Sequence, residues 1–212
     1  MRKPYKLYAA KAGGSMIVEA AFGHTKLPLV IKDVPWNDLG WESKTLGSIN
    51  PLGQIPTLVL PDGSVMTESA AIVLHLSDRV PDFELVPSAT SKQRAEFLRW
   101  LVFLVSALYP TYTYGDVPER WVGEPKDKRA GKALRTSTDE HRKLLLKFLE
   151  GQARGPWFLG RTLSALDLYF WVLVTWRPGR DWYQSNCPKL PKIADALAVN
   201  RICRKVAARN RQ

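Results

Sequence analysis

The fold of this chain is decided by the stretch Asn50-Pro51-Leu52-Gly53-Gln54-Ile55-Pro56-Thr57-Leu58. Its first four residues form a turn signal, since Asn, Pro and Gly favour the backbone angles of tight turns. An Ile-Pro pair then opens a strand. Because proline lowers the preference for a trans peptide to about 0.5–1 kcal/mol, we predict a cis Ile55–Pro56 bond. Such a bond turns the Ile55 N–H and C=O outward, where a peptide can pair. The alternative is a trans proline at a strand edge.

The first 80 residues alternate short apolar runs with helical patterns, which is typical of an α/β unit. Gly13 and Gly14 break the first run, and apolar residues at helical spacing follow Ser15. We predict strands at residues 5–10 and 29–34, a helix from about residue 15, weak helical character at 41–46, a hairpin of 57–60 and 64–66, and a helix at 68–77.

The acid-serine pair Glu68-Ser69 marks the start of that last helix. The Ser69 hydroxyl and the first free backbone N–H groups of the helix converge on one spot, which suits a carboxylate. Glu68 adds the opposite charge beside it. The simpler interpretation is that Thr67 or Ser69 only caps the helix.

The second half of the chain shows helical patterns and no convincing strand. Residues 81–90 include two prolines and have no periodicity, which favours a linker. Helical stretches follow at residues 92–109, 128–152, 164–176 and 191–208. We therefore predict an α/β domain at residues 1–80, a linker at 81–90 and an all-helical domain at 91–212.

A capping box is predicted at the head of one of these helices. Ser164 stands three residues before Asp167, and Leu163 and Leu168 flank the pair as a hydrophobic staple. Together these contacts are worth on the order of 1–2 kcal/mol. We assign Asp167 a structural role.

The basic charge is concentrated in the second half. The chain carries 31 Lys and Arg against 20 Asp and Glu, a net charge of +11. Residues 1–80 contain only 8 of the Lys and Arg and 7 of the Asp and Glu. The densest basic runs are 126–147 and 201–211, and the second contains no acidic residue. Such runs form either a solvated face or a surface that attracts anions. No aromatic-basic recognition motif accompanies them, so we expect no nucleic-acid partner.

The sequence does not indicate a membrane, secreted, disulfide-rich or metal-binding protein. No apolar run approaches the roughly 20 residues that span a bilayer, and no secretion signal is recognised, so we expect a cytoplasmic protein without membrane contact. Cys187 and Cys203 are too few for a disulfide framework, and neither forms a metal-ligand cluster with His24, His75 or His141. We interpret both as structural free thiols and expect no metal.

Taken in order, the Ile-Pro strand, hairpin, acid-serine helix and capping box resemble the cytosolic glutathione S-transferases. The resemblance covers essentially the whole chain. It implies a thioredoxin-like glutathione-binding domain, a C-terminal helical bundle, glutathione as cosubstrate and a homodimer. It further implies that Ile55 and Pro56 face the cysteinyl backbone of glutathione, that Ser69 takes the γ-glutamyl carboxylate, that Glu68 helps to hold the ammonium group, and that Gln54 adds a polar contact.

The catalytic group must stabilise the glutathione thiolate, because the thiolate is the nucleophile. Lowering the thiol pKa by about two units requires roughly 2.7 kcal/mol, and one hydrogen bond to a charged group supplies about 1.5–3 kcal/mol. We predict that Ser15 provides it, since its hydroxyl and N–H lie at the positive end of a helix. Tyr5 and Tyr8 lie within the first strand and fit this role poorly.

The chain departs from the bacterial beta-class pattern, which it otherwise resembles, at three places. Gly14 stands where that class has Cys, so we expect no mixed disulfide with glutathione there. Val102 stands where Asn is common, and Tyr109-Pro110 where His-Lys is common. We therefore predict a second-substrate pocket of apolar and phenolic groups that includes Tyr109 and Tyr112, with plain packing as the alternative for each.

Two hypotheses for function follow. The first is an enzyme, a glutathione S-transferase, that activates the glutathione thiol for attack on a small apolar electrophile. Reduction or isomerisation with glutathione would need the same residues. The second is a non-catalytic binding module on the same fold, which uses the basic helical domain to hold an acidic partner or nucleic acid.

Overall fold

A computed structural model describes residues 3–123 and 127–211. Its N-terminal part is built on one mixed sheet of order β2-β1-β3-β4. The strands are β1 (Tyr5–Ala9), β2 (Leu29–Asp33), β3 (Thr57–Val59) and β4 (Val65–Met66). β1 pairs in parallel with β2 and antiparallel with β3, which in turn pairs antiparallel with β4. This is the thioredoxin-like arrangement that the resemblance implies.

Helices make up the rest of the fold. They are α1 (Ser15–Gly23), α2 (Ser69–Arg79), α3 (Arg94–Phe103), α4 (Tyr109–Asp116), α5 (Lys128–Gln152), α6 (Ala165–Leu173), α7 (Arg180–Asn186), α8 (Lys189–Ala198) and α9 (Arg201–Asn210). A π-helical turn, Leu104–Leu108, joins α3 to α4. Within the described ranges no strand follows β4. The predicted fold class, a thioredoxin-like domain with a helical domain, is confirmed.

α6 joins the two halves of the core. Every residue of this helix is buried, as expected for a helix that is apolar on all sides. It contacts α1 on one side and α8 and α3 on others. The core therefore runs without interruption from β1 through α1 into the helical domain.

The predicted capping box at the start of α6 is present. One oxygen of the Asp167 carboxylate accepts from the Ser164 N–H at 2.8 Å and from the Ser164 hydroxyl at 3.1 Å. The other accepts from the Phe158 N–H at 2.7 Å. Burial raises the pKa of Asp167 to about 6, with the hydrogen bonds acting in the opposite direction. The same carboxylate thus fixes both the helix and the loop before it.

The C-terminal region differs from the sequence prediction. The single helix expected at 191–208 is two helices, α8 and α9, separated at Val199 and Asn200. The Asn200 side chain caps α9 by accepting from the N–H groups of Ile202 and Cys203 at 2.8 and 3.3 Å. α7 was not predicted, and the weak helix expected at 41–46 is a series of turns.

α9 packs against α1, which changes the interpretation of the basic tail. Arg209 forms ion pairs with Glu19 of α1 and with Asp33 at the end of β2. The run 201–211 is therefore only partly a solvated face, because one of its cations is neutralised inside the fold. Residue 126, which opens the other basic run, lies outside the described residues.

Residues 3–123 and 127–211 contain no candidate helix for membrane crossing and no candidate group for metal binding. No helix there is long and apolar enough to cross a membrane, and no three His, Cys, Asp or Glu side chains form a metal-binding group. Cys187 and Cys203 are buried free thiols. Burial raises the pKa of each to about 12, so neither has the thiolate character of a reactive cysteine.

Candidate functional site

Two predicted features meet at one edge of the sheet, the loop that leads into α1 and the Ile-Pro segment before β3. The Ile55–Pro56 bond is cis, as predicted, and it lies immediately before β3. The β1–β3 register ends at the Tyr8–Thr57 pair, so Ile55 lies beyond the ladder. A Cβ placed on Gly13, in the loop before α1, would be 3.1 Å from the Ile55 side chain. The loop and the Ile-Pro segment therefore touch.

The loop between β1 and α1 is held by distant side chains. Ala12 has a φ of 59°, an unusual value for a residue with a side chain. Its N–H donates to the Asn210 side chain at 3.1 Å, and its C=O accepts from the Trp176 indole at 3.1 Å. The neighbouring Lys11 C=O accepts from the Trp36 indole at 2.9 Å. Asn210 and Trp176 were not anticipated, because nothing in the sequence links positions so far apart.

Ser15 is the first residue of α1 and is fully buried. Its hydroxyl donates to the Ala10 carbonyl at 3.2 Å. Its backbone N–H has no acceptor among the described residues, as expected for the first turn of a helix. The N–H is therefore unpaired within the described chain, whereas the hydroxyl must rotate away from Ala10 to meet another acceptor.

Glu68 and Ser69 lie at the start of α2 and form the second part of the candidate site. Glu68 is exposed and has a φ of 62°, a conformation that costs a non-glycine residue free energy and is concentrated at functional sites. Ser69 begins α2, and its hydroxyl lies 2.8 Å from the Tyr169 hydroxyl of α6. Burial raises the pKa of Tyr169 well above its usual value, so this phenol keeps its proton. When Tyr169 donates, the Ser69 proton is left for a ligand.

Gln54 lies on the same edge, just before the cis bond, and is exposed. Its backbone carbonyl accepts from the Thr57 hydroxyl at 2.7 Å and from the Asn50 side chain at 3.2 Å. These bonds fix the turn that presents Ile55.

The predicted second-substrate residues lie across from the loop, on α4. Tyr109 packs edge-on against Tyr112 and Trp176, with ring centroids 6.3 and 5.8 Å apart. The Tyr112 hydroxyl donates to the Arg177 carbonyl at 3.0 Å, and the Arg142 guanidinium stands 3.9 Å from its ring centroid. Tyr112 is therefore anchored, and with only 5% of its surface exposed it packs behind Tyr109.

Gly14, the departure from the cysteine pattern, lies opposite Tyr109. Its φ of −61° and ψ of −17° are ordinary helical values, so the backbone does not require glycine. A Cβ placed there would lie 3.4 Å from the Tyr109 hydroxyl and 3.7 Å from the Trp176 ring. An aromatic cluster of the helical domain thus lies directly against the start of α1, at ordinary contact distance from where a Cβ would stand. Val102, in contrast, is 56% exposed on α3.

A thioredoxin-like domain with this cis-proline edge, joined to a helical domain through α6, defines the class of glutathione transferases. Comparisons with known proteins agree. Residues 15–79 match the glutathione S-transferase N-terminal domain. The chain is 37% identical over 207 residues to the uncharacterized GST-like protein YncG of Escherichia coli K12, with 97% of this chain and 98% of that protein covered. The chain therefore belongs to the glutathione S-transferase family.

Other relatives and solved structures extend the likeness. Glutathione S-transferase GstA of Escherichia coli O157:H7 is 28% identical, with 61% of this chain and 60% of that protein covered. A Sulfitobacter glutathione transferase homologue, solved with bound glutathione, has a TM-score of 0.84 at 21% identity over 99% of both chains. A sphingomonad glutathione S-transferase complexed with glutathione has a TM-score of 0.77 at 22% identity over 97% of this chain and 98% of that one. At these identities the structures establish the fold.

Proposed function

We propose that this protein binds glutathione at the edge formed by α1, the Ile55–Pro56 segment and the start of α2, and activates its thiol for attack on a small apolar electrophile. The observation that supports this proposal is the contact between the loop before α1 and the cis Ile55–Pro56 segment, with the Glu68-Ser69 pair at the start of α2. The glutathione bound in two structures of the same fold supports the choice of ligand.

Each part of the edge has a proposed task. The Ile55 backbone pairs with the cysteinyl unit of glutathione. Ser69 and the free N–H groups of α2 take the γ-glutamyl carboxylate, and Glu68 holds the ammonium group. Gln54 supplies a further polar contact from its exposed side chain.

Ser15 is proposed to stabilise the thiolate. We expect Ser15→Ala to lower turnover at least about tenfold, equivalent to about 1.4 kcal/mol, while glutathione affinity stays nearly intact. The reason is that the variant loses the hydroxyl but keeps the N–H. Steady-state kinetics with varied glutathione would measure both quantities. Unchanged turnover would remove the Ser15 hydroxyl from the mechanism.

The preference for an apolar electrophile rests on the aromatic rings of Tyr109 and Trp176 beside Gly14, with Tyr112 packed against both. Aromatic faces bind apolar, planar groups well. Reduction or isomerisation of such compounds would use the same glutathione frame, so an activity screen should include all three reactions.

The test of the proposed function is retention on immobilised glutathione together with that screen. The wild-type protein should be retained and released by free glutathione. Ser69→Ala is the matched variant, since it removes a hydroxyl at the proposed carboxylate site, and we expect weaker retention. A wild-type protein that passes through the column and is inactive in every assay would refute the proposal.

The binding-module hypothesis finds less support in the structure. Arg142, Arg177 and Arg209 are all paired with acidic groups within the fold, so part of the basic excess serves the protein's own packing. Salt-sensitive binding to RNA or an acidic protein, in the absence of glutathione retention, would favour this hypothesis.

We also propose a homodimer, as the family resemblance implies. Val102 of α3 and Leu144 and Phe148 of α5 are exposed by 56%, 65% and 44%. Phe148 also contacts Phe103, with ring centroids 5.7 Å apart. A second copy on this face would remove apolar surface from water. Light scattering should therefore give twice the chain mass, and Leu144→Glu should shift the mass towards that of a single chain.

A further inference from the structure

Tyr109 is placed against the start of α1 by its neighbours. Its ring packs edge-on against Tyr169 of α6 and Trp176, with centroids 5.9 and 5.8 Å apart. These contacts aim the hydroxyl at Gly14, where a placed Cβ would lie 3.4 Å from the phenolic oxygen. No side chain stands between Tyr109 and the Gly14 backbone, because Gly14 has none.

The Tyr109 hydroxyl is buried and has no hydrogen-bond partner in the described part of the chain. Leaving a buried hydroxyl without a partner is unfavourable, and native proteins rarely do so. Burial also raises the pKa of this phenol well above its usual value, so it carries its proton at neutral pH. The group is thus an unused hydrogen-bond donor next to the residue that begins α1.

We propose that Tyr109 is a further catalytic residue, whose hydroxyl donates a hydrogen bond to the glutathione thiolate beside Gly14. The inference rests on the proposed function, since it requires glutathione in the site. On binding, the thiol proton leaves to water and the sulfur anion accepts from the Tyr109 hydroxyl, from the Ser15 N–H and from the Ser15 hydroxyl once that group has rotated away from the Ala10 carbonyl. The Ser15 hydroxyl already donates to Ala10, whereas the Tyr109 proton has no competing acceptor among the residues described.

This role differs from contact with the electrophile, and one measurement separates the two. The pKa of enzyme-bound glutathione can be read from the ultraviolet absorbance of its thiolate as pH is varied, without any electrophile present. We expect Tyr109→Phe to raise this pKa by about one unit, which lowers the thiolate fraction about tenfold at any pH well below the wild-type pKa. We expect turnover there to fall by a similar factor. The variant should fold normally, because the hydroxyl that it loses has no partner in residues 3–123 and 127–211.

Tyr183→Phe is the matched control. The Tyr183 hydroxyl of α7 is likewise buried without a partner among the described residues, and it lies outside the proposed glutathione edge. We expect the pKa of the bound thiol to stay at its wild-type value in this variant. An increase of the same size in both variants would show a general packing effect and overturn the inference.

The remaining outcomes are also decisive. If wild-type protein lowers the pKa of bound glutathione and Tyr109→Phe does not change it, Tyr109 is not the donor, although the proposed function stands. A change confined to the KM of the electrophile would assign Tyr109 to that substrate and overturn the inference. If the wild-type protein binds no glutathione, the proposed function and this inference both fail.

Discussion

Replacing Asp167 with alanine is expected to lower the free energy of unfolding by about 2–4 kcal/mol at neutral pH. The carboxylate is fully buried and accepts from the N–H groups of Phe158 and Ser164 and from the Ser164 hydroxyl. Each buried donor left without an acceptor costs about 1–3 kcal/mol, and removal of a buried charge offsets part of that sum. Urea denaturation followed by tryptophan fluorescence would measure the loss.

The same residue predicts a pH dependence. Burial raises the pKa of Asp167 to about 6 in the folded protein, above the value near 3.9 expected when it is unfolded. The folded state therefore binds the proton more tightly, and its contribution to stability is complete below about pH 4 and is lost as pH rises through 6. Wild-type protein should gain up to about 3 kcal/mol from this residue between pH 7 and pH 4, a gain that Asp167→Ala lacks.

Asp62→Ala provides the comparison. Asp62 also accepts from a serine two residues on, through the Ser64 N–H at 2.9 Å and its hydroxyl at 2.6 Å, but it is exposed. Water can replace the lost acceptor there, so we expect little change in the midpoint of unfolding. Equal destabilisation by the two substitutions would contradict the role assigned to burial at Asp167.

Gly53→Ala is expected to disrupt both stability and glutathione binding. Gly53 has a φ of +58°, and a Cβ there would lie 1.8 Å from the Gly40 carbonyl oxygen and 2.5 Å from its carbon. The Gly53 carbonyl also accepts from the Gly40 N–H at 2.9 Å. Because both contacts are with backbone, only a shift of the whole segment relieves the clash. We expect the free energy of unfolding to fall by at least about 2 kcal/mol, because the cost of the left-handed backbone conformation adds to that of the clash.

The effect on binding follows from position, since Gly53 lies two residues before Ile55. A displaced turn moves the backbone that is proposed to pair with glutathione, and retention on immobilised glutathione should be lost. Gly63→Ala is the control, because Gly63 has a φ of +95° but nothing within 4 Å of a placed Cβ. Only the backbone cost of about 1 kcal/mol applies there, and retention should be unchanged. Loss of retention in both variants would refute this explanation.

Local features of the fold could be predicted from the sequence. The cis Ile55–Pro56 bond and the Ser164–Asp167 capping box each depend on residues within a few positions of one another. Turn and capping rules apply at that range. The roles of Ser15, Gln54, Glu68 and Ser69 toward glutathione remain predictions, although the fold brings the loop before Ser15 into contact with the segment that follows Gln54.

Contacts between distant segments could not be predicted in this way. The hydrogen bond between Ser69 and Tyr169 joins positions 100 residues apart, and that between Ala12 and Asn210 joins positions 198 apart. In the sequence Tyr169 is one more apolar residue of a buried helix. The sequence predicts one helix where the structure has α8 and α9, because apolar residues continue at helical spacing across Asn200. That spacing outweighed the preference of Asn for the N-cap position.

The bond from Ala12 to Asn210 has a consequence for how the protein is made. The loop that carries Ala12 leaves the ribosome long before α9 does, yet Asn210 and Trp176 are needed to hold it. Domains that fold during synthesis begin with the N-terminal one, so the sheet can form while the proposed glutathione edge is still incomplete. The nascent thioredoxin-like domain therefore acquires its finished loop only when the last helix docks.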